Sequence, residues 1–119
     1  MAPLITQAQN GHAFTMRVGE RLTLQLSENP STGYTWAFAS LDETRLEIES
    51  SSFSSDSAAV GSGGSETWIL RARAPGHTRV ELKLLRPWEG ETSVIERFAV
   101  ALGIEARHES VSSAGKRMG

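Results

Sequence analysis

The chain has no cysteine. That excludes disulfides, thiolate metal sites and a cysteine nucleophile, and it leaves the redox compartment open. No apolar run approaches the roughly 18 residues of a membrane-spanning helix. The first residues, Met1 to Gln9, lack a basic start and a long apolar stretch, so they do not read as a signal peptide. The expected location is cytoplasmic for the chain as written, or periplasmic or secreted if an export signal has been removed. An excess of either charge is also missing. Twelve Lys and Arg against 14 Asp and Glu give a net charge of −2, which offers no footprint for nucleic acid or an anionic membrane. Arg71 and Arg73 form the densest basic patch, and with acids nearby they read as a solvated strand face. A reaction centre is lacking too. His12, His77 and His108 fall at a strand start, a turn and the tail, without zinc spacing. No serine has a G-x-S-x-G setting, and Asp42, Glu43, Glu89 and Glu91 are loop acids with no pairing signal. The chain is therefore not expected to be an enzyme, and no cofactor or metal is expected.

What is present is a strand pattern. At 119 residues with 39% hydrophobic and 22% charged side chains, the chain reads as one folded domain. Leu22, Leu24 and Leu26 alternate with polar neighbours, and Phe14 and Met16 precede them across a Val18-Gly19-Glu20 turn. Tyr34, Trp36 and Phe38 alternate next, followed by Leu46 and Ile48. Trp68, Leu70, Ala72 and Ala74 form a further row, ended by Pro75-Gly76. Val80, Leu82 and Leu84 come next, then Phe98, Val100 and Leu102. Each row has period two, the mark of a strand with one buried face. Ser50 to Gly64 reads as a strand end followed by a Ser- and Gly-rich loop. About seven short strands with regular turn signals and no convincing helix predict an all-β antiparallel sandwich. Packing alone must hold its sheets together. The expected organisation is an N-terminal extension over 1–11, a domain over 12–105 and a polar tail over 106–119.

Three connections carry unusual residues. Asn29-Pro30-Ser31-Thr32-Gly33-Tyr34 has a stiff start at Asn-Pro, two small hydroxyl residues, and a glycine able to take positive φ. It reads either as an ordinary turn or as a narrow wedge. Gly61-Ser62-Gly63-Gly64 lacks the lysine of a phosphate loop. It is either a flexible linker or a backbone surface for an extended partner. In Arg86-Pro87-Trp88 the proline ends a strand row. Trp88 is then either an exposed binding residue or a ring folded onto the core edge.

Taken together, in this order and on a cysteine-free β pattern, the three motifs resemble the chagasin-type inhibitors of papain-like cysteine peptidases. Those proteins carry an NP-[ST]-TG-[YF] loop, a G-x-G-G loop and an R-P-W loop. The match covers roughly residues 12 to 104. It implies an immunoglobulin-like sandwich with three loops side by side at one end. It also implies reversible, tight-binding, competitive inhibition by occlusion of the catalytic cleft. On that pattern Thr32, with Ser31 and Gly33, lies against the catalytic cysteine and histidine. The glycine loop pairs with backbone on the non-primed side, and Arg86 and Trp88 cover the primed side. Ser31 stands where threonine is frequent, which keeps the hydroxyl and loses a methyl. The expected partner is a papain-like cysteine peptidase met by a monomer. An alternative reading is a carbohydrate-binding or adhesion sandwich that uses Trp88 as a stacking platform.

Overall fold

The computed structural model describes residues 3–55 and 63–107. Among the described residues there are eight strands. They are β1 (Leu4–Ile5), β2 (Ala13–Arg17), β3 (Arg21–Glu28), β4 (Thr35–Ser40), β5 (Leu46–Ser55), β6 (Gly64–Ala72), β7 (Gly76–Leu85) and β8 (Glu96–Glu105). Two four-stranded sheets form, ordered β1-β3-β6-β5 and β2-β8-β7-β4. The only helical segments among these residues are short 3-10 turns at Gln7–Gln9, Pro30–Thr32 and Gly90–Ser93.

The alternating rows become the inner faces. Across β3 and β6, Leu22 pairs with Leu70, Leu24 with Trp68 and Leu26 with Glu66. Across β7 and β8, Val80 pairs with Val100 and Leu82 with Phe98, while β4 sets Trp36 opposite Leu84. Partners directly opposite in a ladder share a face, so these rows meet between the sheets. The leucines of β3, Leu70, Leu82 and Phe98 are almost fully buried. Each such side chain contributes about 1.5–3 kcal/mol, which is how a chain without disulfides holds its sheets. Several contacts cross from one sheet to the other. Phe38 and Trp68 pack edge to face at 5.5 Å, and the Trp36 indole Nε1–H donates to the Ser27 carbonyl at 2.8 Å.

The edges differ from a purely antiparallel plan. The other ladders are antiparallel, but at one edge of each sheet β1 runs parallel to β3 and β2 runs parallel to β8. The turn at Val18 to Glu20 does not close a hairpin. It carries the chain from one sheet to the other, since β2 and β3 belong to different sheets. The N-terminal segment, expected as an extension, is built into the body: Ile5 is fully buried in the core and pairs with Leu24. Ala106 and Arg107 follow β8 without strand structure, and the remainder of the expected tail lies outside the described residues.

Candidate functional site

The register brings the three motif loops to one pole. Glu28, at the end of β3, lies opposite Gly64 at the start of β6, which in turn faces Ser55 at the end of β5. On the other sheet, Thr35 at the start of β4 faces Leu85, and Leu84 faces Glu96 at the start of β8. The connections β3–β4, β5–β6 and β7–β8 therefore all leave the sandwich at the same end.

The first loop is a capped 3-10 turn. The Asn29 Oδ1 accepts from the Ser31 N–H at 3.1 Å and from the Ser31 hydroxyl at 2.7 Å. The Thr32 hydroxyl donates to the Asn29 carbonyl at 2.8 Å and accepts from the Tyr34 N–H at 3.3 Å. Both hydroxyls thus stiffen the turn from within. Gly33 closes it at φ +83°, a conformation that side chains with a β-carbon rarely take. Glu28 fixes the loop's base by accepting from the Trp36 N–H at 2.9 Å.

The third loop is fastened to the first. From Arg86, Nε donates to the Thr32 carbonyl at 3.2 Å, and the guanidinium carbon lies 4.5 Å from the centroid of the Tyr34 ring. The Glu89 carboxylate lies 3.6 Å from Nη1 of Arg86. The Trp88 ring leans on Gly33: a β-carbon built there would be 2.5 Å from Cη2. Even so, Trp88 is 70% exposed. It is a displayed ring rather than one folded onto the core edge. Ser93 is the one buried polar side chain among the described residues. Its hydroxyl accepts from the Arg86 N–H at 2.9 Å and sits 2.7 Å from the Gly90 carbonyl. Glu91 receives Lys83 and Arg97 from the two flanking strands, and those donors hold its carboxyl below the usual range.

Of the glycine motif, Gly63 and Gly64 are in place, while Gly61 and Ser62 lie outside the described residues. Gly64 is buried, and a β-carbon there would strike the Ser54 backbone and come within 2.6 Å of the Phe53 ring. Only glycine allows β5 to close over it. Asn29, Thr32, Tyr34, Gly63, Gly64 and Arg86 line one groove of about 490 Å³ at the mouth of the sandwich. The motifs thus form one contiguous surface, with Trp88 joined to it through Gly33.

Two features of this end were not anticipated. Ile95 also lines the groove and is 60% exposed. Its odd position against the buried row Phe98, Val100 and Leu102 was the available signal. Glu66 shares the inner face with Leu26 and Trp68, and burial together with the nearby Glu28 pushes its carboxyl up. Among the described residues, no group of three or more His, Cys, Asp or Glu comes together to hold a metal ion.

With this geometry in hand, comparison with known proteins is direct. The sequence profile of the chagasin family peptidase inhibitor I42 matches residues 15–102. The chain is 37% identical over 107 residues to chagasin of Trypanosoma cruzi, covering 86% of this chain and 97% of that protein. Among solved structures, the cysteine protease inhibitor EhICP2 of Entamoeba histolytica superposes with a TM-score of 0.80 at 20% identity, covering 87% of this chain and 96% of the other. PbICP-C, solved in complex with falcipain-2, aligns with a TM-score of 0.59 at 12% identity, covering 89% of this chain and 100% of the other. At such identities the two structures speak for the fold, an immunoglobulin-like β-sandwich. The match of profile and sequence establishes that this chain belongs to the chagasin family of peptidase inhibitors.

Proposed function

We propose that this inhibitor blocks papain-like cysteine peptidases reversibly and competitively, by seating its three clustered loops in the catalytic cleft. The observation that carries this reading is the fastening of the first and third loops to each other beside Gly63 and Gly64 at one pole of the sandwich. The complex of a structural relative with falcipain-2 supports the choice of target class.

A peptide is cleaved because its carbonyl reaches the nucleophile in a near-attack geometry. A stiff turn such as Asn29 to Tyr34 can occupy that position without presenting such a carbonyl. Thr32, with Ser31 and Gly33, would lie nearest the reacting pair. Residues 61–64 would offer backbone to the non-primed side, and the Arg86-Pro87-Trp88 turn would cover the primed side. Because the internal hydrogen bonds already fix the first loop, little ordering entropy is lost on binding. An interface of ordinary size can then reach about nanomolar affinity, roughly −12 kcal/mol.

Titration of papain with the purified protein tests this. The expected result is near-stoichiometric inhibition, with intact and active inhibitor recovered from the complex. Full papain activity at micromolar inhibitor, or cleavage and consumption of the chain, would overturn it. A carbohydrate-binding role has less support, because Trp88 at 70% exposure stands well above Phe53 at 40% among the described rings near this pole, and such platforms usually need several displayed rings.

A further inference from the structure

We propose that Arg86 is a positioning residue: its guanidinium serves the inhibitor's own first loop rather than an acidic group on the peptidase. The proposal rests on the inhibitory reading above and assigns a role within that site.

Three contacts turn the side chain inward. Nε reaches the Thr32 carbonyl at 3.2 Å, the guanidinium carbon sits 4.5 Å from the Tyr34 ring centroid, and Nη1 lies 3.6 Å from Glu89. The residue's own backbone is fastened from the other side, where the buried Ser93 hydroxyl takes the Arg86 N–H at 2.9 Å. The arginine is thus anchored at its root in the third loop and spans to the first. Thr32 is the centre of the proposed wedge, and its carbonyl is the group that Arg86 restrains.

The chemistry suits arginine and not lysine. A planar guanidinium can lie over an aromatic face while directing an N–H sideways to a carbonyl. A lysine ammonium is a compact charge on a flexible stem and cannot hold both positions at once. The Tyr34 contribution comes from its ring face, so a phenylalanine at that position would serve equally. The charge of Arg86 is already matched within the molecule by Glu89 and the Thr32 carbonyl. An acidic group on the peptidase is therefore not needed to explain it.

The test combines kinetics against papain with amide hydrogen exchange on the free inhibitor, for wild type, Arg86→Ala, Arg86→Lys, Tyr34→Phe, Tyr34→Leu and the double variant Arg86→Ala with Tyr34→Leu. Arg86→Ala and Arg86→Lys should each raise the inhibition constant about tenfold, or about 1.4 kcal/mol. The loss should be the same at low and high salt, since no charge pair across the interface is broken. Tyr34→Phe should leave exchange of the Thr32 and Gly33 amides in the free protein as in wild type, since the ring face under Arg86 is kept. The double variant should be no weaker than the weaker single variant, because both substitutions release the same turn. In the free protein, both Arg86 variants should speed exchange of the Thr32 and Gly33 amides.

Full inhibition by Arg86→Lys, with a loss in Arg86→Ala that shrinks at high salt, would place the charge on the peptidase and overturn the proposal. So would additive losses in the double variant, or unchanged exchange in the free loop. Should Arg86→Ala not fold, Arg86→Lys and the exchange data decide alone. Failure of the wild-type protein to inhibit would strike the functional reading instead. The exchange experiment, made without peptidase, would still judge the clasp.

Discussion

The indole of Trp88 rests against Gly33, so tightly that a β-carbon there would lie 2.5 Å from Cη2 and 3.1 Å from Cζ2. A residue from the third motif is thereby seated on the turn of the first. The same ring keeps most of its surface open to solvent. A large apolar ring that is both displayed and supported is the profile of a binding anchor.

Trp88→Ala should therefore weaken inhibition of papain at least tenfold, with roughly 2–4 kcal/mol expected of such an anchor. The melting temperature should change little, because the ring is not part of the core. An unchanged inhibition constant would remove Trp88 from the contact surface.

Gly33→Ala tests the seat rather than the ring. Position 33 has φ +83°, and leaving glycine there costs about 1–2 kcal/mol in the left-handed region. The added methyl also displaces the indole. Thermal melts should show the stability loss, and inhibition should fall about tenfold without loss of the folded state.

Asn29→Ala removes the acceptor that gathers the Ser31 N–H and hydroxyl. Such a cap is worth about 1 kcal/mol. The chief expected effect is a looser first turn, read as faster dissociation from papain in progress curves. An unaltered dissociation rate would mean that the turn is held by its backbone alone.

Ile95→Asp places a charge on the groove shared with Tyr34, Arg86 and Gly64. Because Ile95 is exposed, folding stability should move by no more than about 0.5 kcal/mol. Inhibition should weaken if the groove wall meets the peptidase. Equal inhibition by the two proteins would confine the contact surface to the three motifs.

Glu66→Gln probes the carboxyl on the inner face. Burial and Glu28 raise its pKa, so the folded state favours the protonated form. As pH rises from the ordinary glutamate range through that raised value, the unfolded chain has already released a proton that the folded one retains. Wild-type stability is then eroded with rising pH. The glutamine variant escapes that loss. It should melt above wild type at neutral pH, and the gap should close as pH falls below the glutamate range. A gap independent of pH would show that ionisation of Glu66 does not matter. Glu91 works in the opposite sense: Lys83 and Arg97 lower its pKa, and its contribution is lost only as pH falls through that lowered value. The comparison with Glu66→Gln cancels it.

Much of the body was legible beforehand. The rows Leu22 to Leu26, Val80 to Leu84 and Phe98 to Leu102 face inward as their alternation indicates, because parity along a strand is a local property. The register shifts between Phe38 and Ser40 in β4 and between Ile48 and Ser50 in β5 mark where parity stops being a guide. The pairing of β5 with β6 slips between Ile48 and Ser50, which shifts Phe53 into the row opposite Glu66. The place of Ile5 in the core was not legible. A strand of two residues carries no period, and its partner in β3 lies nearly twenty residues away.

The chain's covalent order settled the strand faces, the stiff turn at Asn29-Pro30 and the capacity of Gly33 for positive φ, since each follows from a residue's own geometry or its nearest neighbours. Only tertiary structure decided which strands share a sheet, that three separated connections leave by one pole, and that Arg86 turns toward Thr32 instead of outward. Those outcomes depend on long-range register and on the spacing of two sheets. No stretch of sequence encodes either until the opposite side of the sandwich is in place.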